Sequence, residues 1–259
     1  MRNMKRFLIV GWMILLVIQA GCATEKYRRK TPEAYYEAAQ KALHKNDCYQ
    51  AELLFQNLLS DFPGSNLTDD AQFGLGQANQ CQKDYVTAIF EYERLLNEYP
   101  VSEYAPSARF QIGECYFQEA RDIHHDQEET HKAIREYSRF IEDYPQSDLV
   151  KDAQSRIVEL RNRLAAKEVM IAQNYLKWGF VTSAQLYAKN VIEQFADVES
   201  AINARLILAR VKAKTGDMEG ALQELTFLAG QELSLELRND VEQTTAEIKE
   251  AMAKHHAEK

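Results

Sequence analysis

An alanine followed twelve residues later by a proline recurs three times in this chain. The pairs are Ala51 and Pro63, Ala88 and Pro100, and Ala133 and Pro145. A small side chain at a fixed interval is typical of a point where two helices cross closely, and proline ends a helix because it cannot continue the backbone hydrogen bonds. The pattern predicts an all-α solenoid of helix hairpins, an architecture that usually binds other proteins.

The same register extends through five repeats. The second helix of each pair is predicted to open on a small residue, at Ala51, Ala88, Ala133, Ala184 and Ala221. Core-facing residues follow four and seven positions later, as Phe55 and Leu58 do in the first repeat, which is the spacing of an amphipathic helix. A second small residue belongs to each first helix, at Ala39, Gly76, Gly113, Ala172 and Ala209.

Three segments depart from the simple repeat. Residues 121–130 lengthen the connection inside the third pair, and residues 148–177 contain no glycine or proline and predict an extended helix. Leu237, Val241, Ile248 and Met252 are spaced for one more amphipathic helix, which we expect to cap the end of the solenoid. The predicted organisation is repeats 1–3 over residues 32–147, repeats 4–5 over residues 148–233, and a capping helix and tail over residues 234–259.

The first residues indicate export. Arg2, Lys5 and Arg6 precede an apolar run over residues 7–18, which is too short for a typical membrane span. The run ends in Ala20-Gly21-Cys22, which resembles the site at which bacterial lipoproteins are cut and acylated on cysteine. We expect a signal peptide over residues 1–21 and a tether over residues 22–31 after a lipidated Cys22. A secretory signal cut elsewhere and an uncleaved anchor are the alternatives.

Charge and cysteine content limit the partners and the kinds of site that this chain can have. Loss of three basic residues with the signal changes the net charge from -8 to -11, because 28 Lys and Arg would then face 39 Asp and Glu. This balance argues against nucleic acid as a partner. Apart from Cys22 the chain has three cysteines, Cys48, Cys81 and Cys115, and their spacing is not that of a metal site. We expect them to be small buried residues without a structural disulfide.

The order of these features resembles one family. A lipoprotein signal, five tetratricopeptide-like repeats, an insertion in the third and a long helix opening the fourth are similar to BamD, the lipoprotein of the outer membrane β-barrel assembly machinery. The resemblance implies a right-handed solenoid, lipid-anchored to the periplasmic face of the outer membrane. It also implies that the amino-terminal repeats bind unfolded barrel precursors, while the carboxy-terminal repeats bind the POTRA domains of BamA beside other lipoproteins of the machinery.

The register suggests where such partners would bind. The first helices are expected to line a groove with an aromatic stripe and polar groups one turn further on, formed by Tyr36, Gln40, Phe73, Gln77, Phe110, Glu114 and Phe117. The alternative is that the aromatic residues belong to the core between repeats. A second surface, in repeats 4 and 5, is predicted at Lys177, Lys189, Arg205 and Arg210, although solvated helix faces explain these cations equally well.

No pattern in the sequence indicates an enzyme or a cofactor other than the lipid on Cys22. His124, His125 and His131 lie near Asp126, Glu128 and Glu129, but their spacing matches no familiar metal site and is typical of a polar loop. Two other functions remain open. One is a different envelope lipoprotein with such repeats, serving pilus assembly or, like CpoB, cell-wall coordination. The other is a metal- or peptidoglycan-acting enzyme that uses the solenoid as a handle.

Overall fold

The computed structural model describes residues 31–257, which form helices and turns without any strand. The predicted signal peptide, Cys22 and all of the tether except Thr31 lie outside the described residues. Eleven helices follow one another in this part of the chain: α1 Pro32–His44, α2 Cys48–Asp61, α3 Thr68–Cys81, α4 Tyr85–Glu98, α5 Ala105–Glu119, α6 Glu128–Asp143, α7 Val150–Lys177, α8 Val181–Gln194, α9 Ser200–Lys214, α10 Met218–Ala229 and α11 Leu235–Ala257.

The chain divides into two compact units. The first ends at Asp84 and contains α1 to α3, and the second begins at Tyr85 and contains α4 to α11. Within each unit, helices that follow one another along the chain pack together, as the hairpins α1–α2, α5–α6, α7–α8 and α9–α10 show. The division predicted between residues 147 and 148 lies inside the second unit and remains a prediction.

The small residues of the register are buried, as the sequence predicts. The side chains of all five alanines that open the second helices are inaccessible to solvent, and the residues four and seven positions later are also buried. Gly113 shows why a small residue is required, because a Cβ there would lie 2.7 Å from Cε1 of Tyr137, closer than carbon atoms pack. These contacts confirm the fold of paired helices.

The prolines and the long segments also lie where the pattern puts them. Pro63, Pro100 and Pro145 each follow the last residue of a second helix by two positions. The extended helix is α7, which has 28 residues. The predicted final helix is α11, whose Val241 and Ile248 are buried in one cluster with Leu225 and Leu228 of α10.

One expectation about the cysteines was wrong. Cys48, at the start of α2, and Cys81, at the end of α3, form a disulfide with their Cα atoms 5.8 Å apart. Helix pairing brings the two ends together although 33 positions separate them in the chain. Cys115 is free and buried, as expected, and burial raises its pKa to about 12. The disulfide therefore links two helices of the first unit.

Candidate functional site

Four of the predicted groove residues lie in the first unit and keep part of their surface accessible. Tyr36 and Gln40 belong to α1, and Phe73 and Gln77 belong to α3. All four are half-buried. The Tyr36 ring meets the buried ring of Phe55 edge to face, with 6.1 Å between centroids. All four residues therefore keep surface that a partner could reach, and the Tyr36 ring also packs on the core of the first unit.

Phe110, in the second unit, is not a groove residue, and here the prediction was wrong. Its ring is 8% exposed and lies 5.6 Å from the ring of Tyr137 and 5.5 Å from that of Phe140, measured between centroids. Both neighbours belong to α6, so Phe110 fills the core between α5 and α6. The alternative of a core position holds here, with ring partners in the same repeat and a cluster that extends to α7, which opens the next repeat.

Glu114 and Phe117 are likewise used within the second unit. The Glu114 carboxylate accepts a hydrogen bond of 2.5 Å from the Tyr137 hydroxyl and one of 2.9 Å from Nε of Arg156. Burial and the Glu114 carboxylate raise the pKa of Tyr137 well above its ordinary value. The Arg156 guanidinium also lies 4.2 Å from the centroid of Phe117. This network joins α5, α6 and α7, and it occupies the groups that the sequence assigned to a bound peptide.

The four cations predicted as a partner surface divide into two kinds. Arg205 pairs with Glu224 at 2.9 Å, and its guanidinium lies 4.1 Å from the centroid of Phe227. Arg210 pairs with Asp240 at 3.2 Å. Lys177 and Lys189 are exposed and pair with no acid among the described residues. The arginines thus hold neighbouring helices together, whereas the lysines face solvent.

A cavity of about 550 Å³ lies among the end of α7, α9 and α11 in the second unit. Its floor is apolar and includes Leu176, Ile207 and Ile248, while Lys177 and Arg210 stand on its walls. Gln173 and Arg210 occupy, in the fourth and fifth repeats, the register position that Gln40, Gln77 and Glu114 occupy in the first three. The repeat register therefore places a polar residue at this cavity in both repeats, which is a signal already present in the sequence.

An exposed aromatic surface, which the sequence did not reveal, lies at the turn from α7 to α8. Trp178 is 64% exposed and Phe180 is 59% exposed. Both rings meet Tyr175 edge to face, with centroids 6.1 Å and 6.2 Å from it, and Tyr175 stacks on Tyr187 at 5.6 Å. Gly179, between Trp178 and Phe180, has φ +86°, which disfavours any side chain there. We call Tyr175, Trp178, Phe180 and Tyr187 the aromatic surface.

The histidine-rich connection between α5 and α6 is anchored to α7. Lys167 of α7 donates to the carbonyl of His125, and Arg163 donates to the carbonyl of Ala120 at 3.0 Å. Two hydrogen bonds, from the His124 amide and the His125 ring, lower the pKa of Asp122. Within residues 31–257 no group of three or more histidine, cysteine or acidic residues is placed to hold a metal ion.

The solved structures that the chain resembles are distant from it in sequence. None of its described helices has the length and apolarity needed to cross a membrane. No curated protein matches its sequence. A tetratricopeptide repeat protein of Thermus thermophilus is 15% identical with a TM-score of 0.37, over 83% of this chain and 98% of its own. Pseudomonas aeruginosa PilF is 14% identical with a TM-score of 0.34, over 87% and 92%.

The family comparison is more specific than these structural similarities. The sequence pattern of the YfiO family, described as outer membrane lipoproteins, matches residues 28–224. That range contains most of the described residues, including every predicted groove and interface residue. The chain therefore belongs to the YfiO family of outer membrane lipoproteins.

Proposed function

We propose that the protein is the BamD-type scaffold of the outer membrane β-barrel assembly machinery, binding unfolded barrel precursors and BamA. The observation that carries the proposal is the family match over residues 28–224, which coincides with the helix hairpins. Stacked hairpins of this kind provide extended surfaces for protein binding. The scaffold acts by binding, without a catalytic residue or a cofactor.

The first unit supplies the precursor-binding chemistry. Tyr36 and Phe73 keep part of their surface accessible, and Gln40 and Gln77 follow them by one helical turn. An aromatic ring packs against apolar side chains, while a glutamine amide both donates to and accepts from the main chain of an extended peptide. An unfolded barrel strand presents both kinds of group.

The aromatic surface supplies the contact with a folded partner, such as a POTRA domain of BamA. Exposed tryptophan and phenylalanine beside one another are enriched at the centre of protein interfaces, where they lose their contact with water. Lys177 directly precedes Trp178 and is exposed, and the exposed Lys189 lies on α8, two positions after Tyr187. Such charges orient an acidic partner and increase its association rate.

The lipid on Cys22 would hold the protein at the periplasmic face of the outer membrane. A tether of nine residues after the cysteine, 23–31, reaches roughly 30 Å when extended. Several acyl chains on one cysteine anchor a protein firmly, since two chains already suffice. Palmitate labelling of the wild-type protein and of Cys22→Ser tests this part of the proposal, and label retained by Cys22→Ser would contradict it.

Co-purification from native membranes tests the function. We expect BamA to be recovered with the full-length protein, and Trp178→Ala with Phe180→Ala to weaken that association by about 1 to 3 kcal/mol. Phe90→Ala is the matched control, because Phe90 is 61% exposed and lies outside the aromatic surface. Recovery of pilins or cell-wall synthases in place of BamA would contradict the proposal and favour the other envelope roles.

A further inference from the structure

The cavity among α7, α9 and α11 combines an apolar floor with a cationic rim. The floor is formed by Leu176, Ile207, Met218 and Ile248. Ile207 and Ile248 also belong to the hydrophobic clusters in which these helices pack together. Lys177 and Lys214 are exposed at the rim, so the cavity reaches solvent. Its volume of about 550 Å³ lies in the range of cavities that enclose ligands.

The cations follow from the repeat register. Gln173 and Lys177 are one helical turn apart on α7, and Arg210 and Lys214 are one turn apart at the equivalent positions of α9. Neighbouring first helices thus present two rows of polar groups across the cavity. Residues four apart lie on the same face of a helix, so both members of each row point to the same side.

The charges of this cavity are not balanced within it. Arg210 is held by Asp240 at 3.2 Å and by the Thr244 hydroxyl, but Lys177 and Lys214 pair with no other described residue. Among the described residues that line the cavity, Glu247 is the one carboxylate. In a chain with a net charge of -8, this is a local excess of positive charge.

We propose that the cavity binds a segment of a partner protein that carries apolar side chains flanked by carboxylates. The apolar side chains would cover Leu176, Met218 and Ile248, and the carboxylates would pair with Lys177 and Lys214. Charge complementarity selects an acidic segment, because Arg210 is already paired with Asp240 and a basic segment would face the two unpaired lysines, Lys177 and Lys214, with only Glu247 to attract it among the described lining residues. The inference rests on the proposed scaffold function and specifies the chemistry of one partner segment.

Short synthetic peptides provide the probe. The full-length protein, purified in detergent, is titrated with a fluorescent peptide of alternating leucine and glutamate pairs, and with matched leucine–lysine and serine–glutamate peptides. We expect the leucine–glutamate peptide to bind at least about tenfold more tightly than either of the others. Its affinity should fall as salt is added, since salt screens exposed charges.

Substitutions locate the binding site. Lys177→Glu with Lys214→Glu should weaken the leucine–glutamate peptide about tenfold or more. Lys151→Glu, at an exposed lysine near the start of α7 that does not line the cavity, should leave its affinity unchanged. Ala251→Trp adds a large ring at an exposed position on the cavity wall and should weaken binding without altering the rim charges. Circular dichroism of each variant shows that it is folded.

Three results would overturn the inference. These are equal affinity for the leucine–lysine peptide, full affinity in the Lys177→Glu and Lys214→Glu double variant, and binding of anionic phospholipid vesicles that displaces the peptide. The last would identify a lipid surface as the occupant. Peptide binding does not require BamA, so the co-purification experiment can fail while this one succeeds, and the two proposals are tested separately.

Discussion

Removal of the disulfide in the first unit should destabilise that unit selectively. The bond closes a loop over 33 positions between Cys48 and Cys81. If a disulfide acts mainly by restricting the unfolded chain, a loop of this length corresponds to about 3 to 4 kcal/mol of stability at 25 °C. The described part of this unit consists of α1, α2 and α3, so the bond stabilises a small core, formed around Phe55 and Leu58.

Hydrogen exchange measures this effect helix by helix. In Cys48→Ala with Cys81→Ala, the slowest amides of α1 to α3 should exchange about 100- to 1,000-fold faster than in the wild-type protein, because 1.4 kcal/mol corresponds to a tenfold change in the opening equilibrium. Amides of α7 to α9 in the second unit provide the internal control and should be unchanged. A reductant should have the same effect on the wild-type protein and none on the variant.

Thiol counting checks the bond itself. Apart from Cys22, the oxidised protein should be alkylated at one cysteine after unfolding and at three after unfolding and reduction. Cys115 should resist alkylation in the folded state, because burial raises its pKa to about 12 and leaves little thiolate at neutral pH. Three reactive thiols without reductant would show that the bond does not form. Unchanged exchange in α1 to α3 of the double variant would refute the stability argument.

Two further substitutions test the fold and the groove. Ala88→Leu should lower the free energy of unfolding by about 1 to 3 kcal/mol, because a larger side chain overpacks a fully buried site. Glu93→Leu, at an exposed site on the same helix, is the control. Equal urea midpoints for the two variants would contradict the register. Phe110→Ala should lower the free energy of unfolding by about 3 to 5 kcal/mol, because it removes a ring from the core. Phe73→Ala should instead weaken the binding of a barrel-precursor peptide by about 1 to 3 kcal/mol. A stable Phe110→Ala protein that binds this peptide poorly would show that Phe110 belongs to the groove.

The repeat pattern predicted the fold because helix crossings depend on local spacing. Ala51, Ala133 and Ala184 are fully buried, since nothing larger fits where paired helices touch. The same spacing did not distinguish a groove from a core. Val169 and Leu206 occupy the position of Phe110 in later repeats, and both are buried apolar residues. Apolar residues at this position in the later repeats favour the core for Phe110.

Other features depend on contacts that are distant in the sequence. Cys48 and Cys81 meet because α2 packs against α3, and three cysteines without a pairing motif gave no sign of which two would bond. Arg205 and Arg210 were predicted to face a partner, but within the protein they form ion pairs with Glu224 of α10 and Asp240 of α11. Trp178 is exposed beside the left-handed turn at Gly179, and a glycine in the sequence does not by itself indicate which of its neighbours face solvent.

The length of α7 has a mechanical consequence. Its first half packs Ala153 and Leu160 with Phe140 of α6, and its second half packs Val169 and Ala172 among residues of α8 and α9. The 28 residues form a rod of roughly 42 Å without a proline or glycine at which it could bend. Arg163 and Lys167 of α7 bind the α5–α6 connection. A displacement of that connection would therefore be transmitted along the helix to Lys177 at its end.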